Sequence, residues 1–353
     1  MRVVVLAATS SQIYDIFPQT KYMGSKFKLL PILNDVFEGI KFKTALDAFS
    51  GTSSVSYLLK SLPRGVKVTS NDYLQFCYHI ANSVIANDHE VLKKDELESL
   101  IGGCPYNKKF IQRNFGGLYY DKEDLEFLDN IRFNIDAYLT KKTFKYSLAL
   151  AALARACIKR RPRGIFAYTG FRYDDGRRDF RRTLEDHFRN CVEEFNSAVF
   201  SNGQKNSAIC GDIFALEEDN FDLVYIDSPY HTSFADNDYP RRYHFVEGLM
   251  SYWEDVKIDY TTKTRKFPFL KTIFDSKATV EKAFQKLFNQ FAGSTLVVSY
   301  SSKSYPTKDD MRYLLGQAGK KCEVVESDYQ YSFATQRKCI ENNNVKEYIF
   351  IAE

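Results

Sequence analysis

Three short segments of this 353-residue chain read as strands that run into an aspartate. TALDAF (44–49) reaches Asp47, VKVTSNDY (66–73) reaches Asp72, and FDLVYIDSPY (221–230) reaches Asp227. Apolar runs this short, bounded by turn residues, read as strands of a buried sheet. The first two are each followed by a helical pattern, VSYLLKSL and then residues 74–87. Strand and helix in alternation require a parallel sheet with helices packed on it. In such a sheet, ligands bind beyond the carboxyl ends of the strands. One acid at that edge is common by chance, but several in consecutive units are not.

The rest of the chain fits around that sheet. SKFKLLPILNDVFE (25–38) has helical spacing, with Pro31 as a bend or a late start. SAIC (207–210) and STLVVSYSS (294–302) read as further strands, and TKDDMRYLLGQAG (307–319) as a helix opened by a Thr-x-x-Asp signal. CEVVESDY (322–329) and VKEYIFIAE (345–353) read as a closing, hairpin-like pair. Between roughly 90 and 205 the alternation stops. KKDELESLI, KEDLEFLDNIRFNIDAYL and YSLALAALARACIKR are helical there, with two Gly/aromatic loops. The expected organisation is an α/β sheet domain over 1–90 and 205–353, split by a mostly helical insertion over 91–204.

Composition narrows the class. No stretch approaches 18 apolar residues, so no membrane helix is expected. The opening MRVVVLAATSSQ is too brief for a signal peptide. Seven cysteines without a CxxC pair or zinc spacing read as reduced thiols of a cytoplasmic protein. A net charge of only +4 means that any nucleic-acid footprint must come from local clusters.

The strand ends carry the chemistry. Gly51, in FSGTSS, lets backbone approach a ligand. Asp72 follows at about the spacing that places an acid on ribose hydroxyls in nucleotide-binding units. Singly, Gly51 is a tight turn and Asp72 a helix cap. The turn lacks the second and third glycines of a dinucleotide fingerprint, which argues against a dehydrogenase and for a ribose without a diphosphate, as in S-adenosylmethionine. At Asp227, Pro229 holds Ser228 extended. The Ser228 carbonyl and the Asp227 carboxylate can then accept both N–H groups of an exocyclic amine. Tyr230 offers a face on which a planar base stacks. Such an amine is a poor nucleophile because its lone pair is delocalised. Hydrogen bonds to both its hydrogens favour a pyramidal nitrogen with a free lone pair, and acceptors already in place need no reorganisation.

These segments carry a resemblance. DSPY resembles the Asp-Pro-Pro-Tyr motif of amino-group methyltransferases. KYMGSK (21–26), DAFSGTSSVSYLL (47–59), SNDY (70–73), CGDIFAL (210–216) and DYPRRYHFVEGL (238–249) resemble, in order, motifs of the Dam-like, alpha-class adenine-specific DNA methyltransferases. LVVSYSS and VKEYIFI fit too. Ser228 stands where that family usually has proline, and the tyrosine-rich 231–243 segment does not align closely. The resemblance implies a Rossmann-like S-adenosylmethionine-dependent methyltransferase sheet with an inserted, mostly helical target-recognition domain. It implies site-specific methylation of adenine in double-stranded DNA, in a restriction-modification or a solitary or phage setting, with a cognate restriction endonuclease as the partner in the first case. Carried across, Asp227, Ser228, Pro229 and Tyr230 hold the target base. Asp72 binds the cofactor ribose, and Asp212 and Ile213 flank its adenine. Asp47, Phe49, Ser50 and Gly51 line the methionine side. Tyr22 and Lys26 close over the cofactor, with Lys26 near its carboxylate. No metal is implied.

Reaching an adenine inside a duplex means flipping it out, at a cost of a few kcal/mol. Two basic, aromatic-rich stretches are candidates for the contacts that offset this. Residues 155–189 supply Lys159, Arg160, Arg161, Arg163, Arg172, Arg177 and Arg178, interleaved with Phe166, Tyr168, Phe171, Tyr173 and Phe180. Residues 105–120 supply Lys108, Lys109 and Arg113. A charge run is ordinarily a solvated face. Glycines 164, 170 and 176 and the position between cofactor motifs turn this one toward DNA. Tyr243 and His244 read as core or satisfied residues, since the reaction needs no histidine base. The alternatives are methylation of cytosine, of RNA or of a glutamine amide, and a DNA-binding subunit that keeps the fold without activity.

Overall fold

The computed structural model describes residues 16–103, 107–170, 176–216, 221–229, 231, 238–254, 256–268, 272–330 and 344–353. A 3-10 turn over Phe27–Leu29 leads into α1 (Leu30–Gly39), and Pro31 lies in its first turn, where its missing N–H costs nothing. Then come β1 (Thr44–Asp47), α2 (Ser54–Ser61), β2 (Lys67–Asp72) and α3 (Gln75–Ala81), which runs on into a π turn over Asn82–Ala86. The connection from there to β3 (Ser207–Cys210) is helical: α4 (Lys94–Ile101), α5 (Phe110–Phe115), α6 (Lys122–Tyr138), α7 (Phe144–Lys159) and α8 (Leu184–Ala198). After β4 (Leu223–Ile226) follow α9 (Tyr239–Arg242), α10 (His244–Ser251), α11 (Lys277–Gln290), β5 (Thr295–Ser301), α12 (Lys308–Gln317), β6 (Cys322–Gln330) and β7 (Asn344–Ala352).

The seven strands form one sheet in the order β3-β2-β1-β4-β5-β7-β6. The first five are parallel, and β7 is antiparallel to both β5 and β6. This is the α/β sheet expected, including the closing antiparallel pair. Strand alternation divides the apolar side chains between two clusters. Ala45, Leu223, Tyr225 and Val297 point to one, and Leu46, Val224, Ile226 and Val298 to the other. The Thr307/Asp310 capping box starts α12 as its sequence signal required.

The helices between β2 and β3 share the first of those clusters. In α7 the whole run Tyr146–Ile158 is buried, against α8, α3 and α10. Arg132 of α6 reaches across to the last turn of α10, donating to the carbonyls of Leu249 (2.8 Å) and Met250 (2.7 Å). Among the described residues, no helix is long and apolar enough to cross a membrane.

Candidate active site

Strand order reverses between β1 and β4, whose neighbours β2 and β5 lie on opposite sides. At such a switch point the chain leaves adjacent strands in opposite directions and opens a crevice. A cavity of about 480 Å³ lies there. Asp47 ends β1, Asp72 ends β2, and Asp227 follows β4 by one residue, and all three line it. Tyr22, Lys26, Phe49, Ser50, Gly51, Asp212, Ile213, Ser228 and Pro229 line it as well. Tyr230 lies outside the described residues. The fold thus gathers into one wall the described residues singled out from five separate sequence segments.

Hydrogen bonds hold this wall in shape. Asp72 accepts from the backbone N–H of Gly51 (2.8 Å) and of Leu74 (2.9 Å), tying the turn after β1 to the end of β2. Asn71 donates to the carbonyls of Ala48 (3.1 Å) and Gly211 (3.3 Å), which joins the turn after β3 to the same frame. Asp212 is exposed and caps its 3-10 turn by accepting from Phe214 N–H (3.0 Å). Ile213 is buried in the second cluster while also lining the cavity. Asp47 accepts from Ser56 Oγ (2.6 Å), itself a partner of Ser70 (2.7 Å), and its Oδ1 has no partner. Ser50 Oγ is likewise buried and unpartnered.

Lys26 is where the structure departs from expectation. Its ammonium pairs with Asp227 Oδ1 at 2.7 Å and Oδ2 at 2.9 Å, and donates to Gly24 O at 3.0 Å. A lysine only 5% exposed needs a carboxylate beside it, and Asp227 supplies one. Lys26 therefore sits on the Asp227 carboxylate as well as lining the cavity. Tyr22 is stacked between Tyr239 (5.5 Å) and Tyr243 (5.0 Å), over Gly51. The Tyr243 hydroxyl accepts from Met23 N–H at 2.9 Å, which fixes the 21–26 segment.

Burial sets the electrostatics. It raises the Asp47 carboxyl to about 7, against the lowering effect of Ser56. It raises Asp72 to about 6, opposed by the Leu74 and Gly51 N–H groups. A carboxyl raised on folding binds more protons folded than unfolded, so its contribution to stability falls as pH rises from its ordinary value through its folded one. Asp47→Asn removes that dependence. The melting temperature of the wild type minus that of Asp47→Asn should therefore fall between pH 5 and pH 8. A difference that stays flat or rises would show that Asp47 is not desolvated as described.

Two contributors were not singled out as site residues in the sequence. Tyr239 lines the cavity from the segment that resisted alignment. Phe274 comes from the stretch before α11, packs on Phe49 (5.7 Å) and stacks on Phe214 (6.0 Å), and also lines the cavity. Only the tertiary fold brings that stretch to the strand ends.

The basic candidates divide. Arg161 is fully buried, and its guanidinium donates to the carbonyls of Tyr119 (3.2 Å), Gly170 (2.8 Å) and Tyr168 (2.8 Å). Arg160 is 9% exposed, bonds the Phe180 carbonyl and lies 3.3 Å from Asp124. Both arginines lock loops together at the end of α7, so their assignment to DNA is withdrawn. Phe166 and Phe180 are core side chains for the same reason. Lys159 is half-buried, 3.4 Å from Glu194. Arg177 lies over Phe180, and Arg163 is half-buried at φ +57°. Arg178, Lys108, Lys109 and Arg113 are exposed. Arg172, Phe171 and Tyr173 lie outside the described residues. His244 is buried, 3.0 Å from the Tyr119 hydroxyl, and burial lowers it to about 3.

A parallel sheet with an antiparallel seventh strand and acids at its switch point defines an α/β enzyme that acts on a ligand at the strand ends. The chain belongs to the D12 class N6 adenine-specific DNA methyltransferases, whose family model matches residues 22–248. It is therefore an enzyme that methylates adenine in DNA. It is similar to the type II methyltransferase M2.HphI of Haemophilus parahaemolyticus, with 28% identity over 89% of this chain and 92% of that one. It is also similar to the type II methyltransferase M.CviAII of Paramecium bursaria Chlorella virus 1, with 25% identity over 93% and 97%. A third relative, the modification methylase LlaI of Lactococcus lactis, is 25% identical over 82% of this chain and 47% of its own length.

Proposed function

We propose that the chain is the modification methyltransferase of a restriction-modification system, that it uses S-adenosylmethionine, and that Asp227 is its catalytic carboxylate. The observation that carries this reading is the meeting of Asp227 with Asp47 and Asp72 on one cavity. The type II relatives support the restriction-modification setting, and a cognate endonuclease of the same specificity is the partner it implies. Residues 1–90 and 205–353 form the catalytic part. Residues 91–204 carry target recognition, packed on the same core.

The wall suits the donor. The two unpartnered acceptors, Asp47 Oδ1 and Ser50 Oγ, are buried at a cavity, and buried polar atoms call for partners. A ribose and an ammonium group supply such donors. Asp72 keeps lone pairs free for ribose hydroxyls beyond its two backbone bonds. Asp212, Ile213 and Phe214 border the adenine side, and Tyr22, Phe49, Ser50, Gly51 and Asp47 the methionine side. When bound, the donor supplies an electrophilic methyl group on a sulfonium. Asp227 and the Ser228 carbonyl accept the two N–H groups of the flipped adenine, Pro229 stiffens the turn, and Tyr230 stacks on the base. Lys26 fixes the Asp227 carboxylate before the base arrives, so the acceptor need not reorient. After methylation the cationic nitrogen loses one N–H proton, which passes along its hydrogen bond to the Asp227 carboxylate and on to solvent.

The test is to incubate the protein with mixed-sequence duplex DNA and S-adenosylmethionine, digest the DNA and identify the methylated nucleoside by mass spectrometry. N6-methyladenine is expected with the wild type and not with Asp227→Ala. Methylcytosine, or methyl transfer independent of Asp227, would overturn the assignment.

Gly51 gives a second check. Its φ is +50°, and a Cβ there would lie 3.1 Å from Tyr22 Cε1. Gly51→Ala combines backbone strain of about 1–3 kcal/mol with displacement of the Tyr22 ring. Calorimetry should show cofactor affinity weakened about tenfold or more. Unchanged affinity would move the donor away from this turn.

A further inference from the structure

The segment after α10 carries cations that neither the cavity nor the core uses. Residues 257–266, KIDYTTKTRK, hold Lys257, Lys263, Arg265 and Lys266 against Asp259 alone. Their backbone is closed into a loop. Asp259 N–H donates to Lys266 O at 2.8 Å, Thr262 N–H to Asp259 O at 3.2 Å, and Arg265 N–H to Thr262 O at 3.0 Å. Thr264 is buried, and its carbonyl accepts from the Tyr119 hydroxyl at 2.5 Å. Phe267 is inserted into the core beside His244.

The outer side of this rigid loop faces water. Tyr260 is 62% exposed, Lys263 is exposed, and the Arg265 guanidinium lies 5.7 Å from the centre of the Tyr260 ring. Among the described residues, no carboxylate pairs with Lys263 or Arg265. The Tyr260 hydroxyl donates to Asn114 Oδ1 at 2.8 Å, so the loop is docked against α5. Exposed Lys108, Lys109 and Arg113 lie on that segment. Two stretches distant in sequence thus meet as one basic face, where residues 257–266 hold one acid, Asp259, and exposed Glu254 stands just before them. Phe267, next after the loop, packs 5.9 Å from His244, the first residue of α10, and α9 just before it carries the cavity residue Tyr239.

Gathering like charges on a stiff surface costs repulsion, which an anionic partner relieves. We infer that the 257–266 loop is a DNA-contacting element outside the helical insertion, with Lys263 and Arg265 neutralising backbone phosphates beside the flipped adenine. The inference rests on duplex DNA being the substrate.

The test is to titrate a fluorescent mixed-sequence duplex with the wild type and with Lys263→Ala/Arg265→Ala over a range of salt concentrations. Each lost phosphate contact removes about 0.9 from the slope of log affinity against log salt. The double variant should lose about 1.8 in slope, bind DNA at least about tenfold more weakly at low salt and show a raised KM for DNA, with S-adenosylmethionine affinity and melting temperature unchanged. Lys263→Glu/Arg265→Glu should bind more weakly still, which a merely structural loop would not require. If the wild type shows a salt-dependent slope that both variants reproduce, the loop inference fails and the substrate reading stands. A wild type without salt-dependent DNA binding overturns both.

Discussion

Asp227→Ala should lose methyl transfer by about a hundredfold to a thousandfold or more, the scale seen when one preorganised transition-state partner is removed. The same change strips Lys26 of its carboxylate while leaving it almost wholly buried. Breaking a buried pair costs about 3–5 kcal/mol. Asp227 is itself 18% exposed, so the lower end applies. The variant should therefore melt earlier as well as turn over slowly, and the two effects need separating. Asp227→Asn serves for this, since it keeps the shape and one acceptor oxygen but not the charge. Both variants should retain S-adenosylmethionine binding by calorimetry. Wild-type turnover in either one would remove Asp227 from the chemistry.

Arg161→Ala should be the most destabilising single change in the basic stretch. The guanidinium is fully buried, bonds three backbone carbonyls and lies 5.1 Å from the Tyr119 ring centre and 5.4 Å from that of Tyr168. Truncation leaves the buried Tyr119 carbonyl without its donor, at about 1–3 kcal/mol, frees the part-buried carbonyls of Tyr168 and Gly170, and removes the packing of the guanidinium on two rings. A loss of about 3–5 kcal/mol in unfolding free energy is expected, read from the urea midpoint at unchanged m-value. Lysine should not rescue it, because an ammonium lacks the planar fork that reaches three carbonyls. Arg113→Ala is the contrast: exposed, it should leave stability unchanged and lower the salt slope of DNA binding. If Arg161→Ala behaves like Arg113→Ala, the buried-clamp reading is wrong.

The strand edge was legible because each strand is short and ends on its own chemistry. TALD, KVTSND and LVYID carry the acids within the segments that define the elements, so locating the strands also located the carboxylates. The helix starts at Thr307 and the late start at Pro31 followed from local capping and φ rules. What failed was long-range. Arg160 and Arg161 look like a nucleic-acid tract in sequence, because nothing local reveals that three carbonyls from residues 119, 168 and 170 will converge on one guanidinium. The partnership of Lys26 with Asp227 spans 201 residues and depends on where β4 lands beside β1. Phe274 reaches the cavity through loop placement alone, and the loop around Lys263 lacked the density of arginines that drew attention elsewhere.

The buried run of α7 bears on how such an enzyme changes its target. Tyr146–Ile158 packs at once against its own helical neighbours and against α3 and α10, so the segment that would read DNA is mortised into the frame that would hold the donor. A recognition segment grafted from a relative would bring foreign knobs to native sockets and meet a mismatch all along one helix. New specificity is then reached more readily by exchanging side chains on the exposed loops than by transplanting the insertion whole.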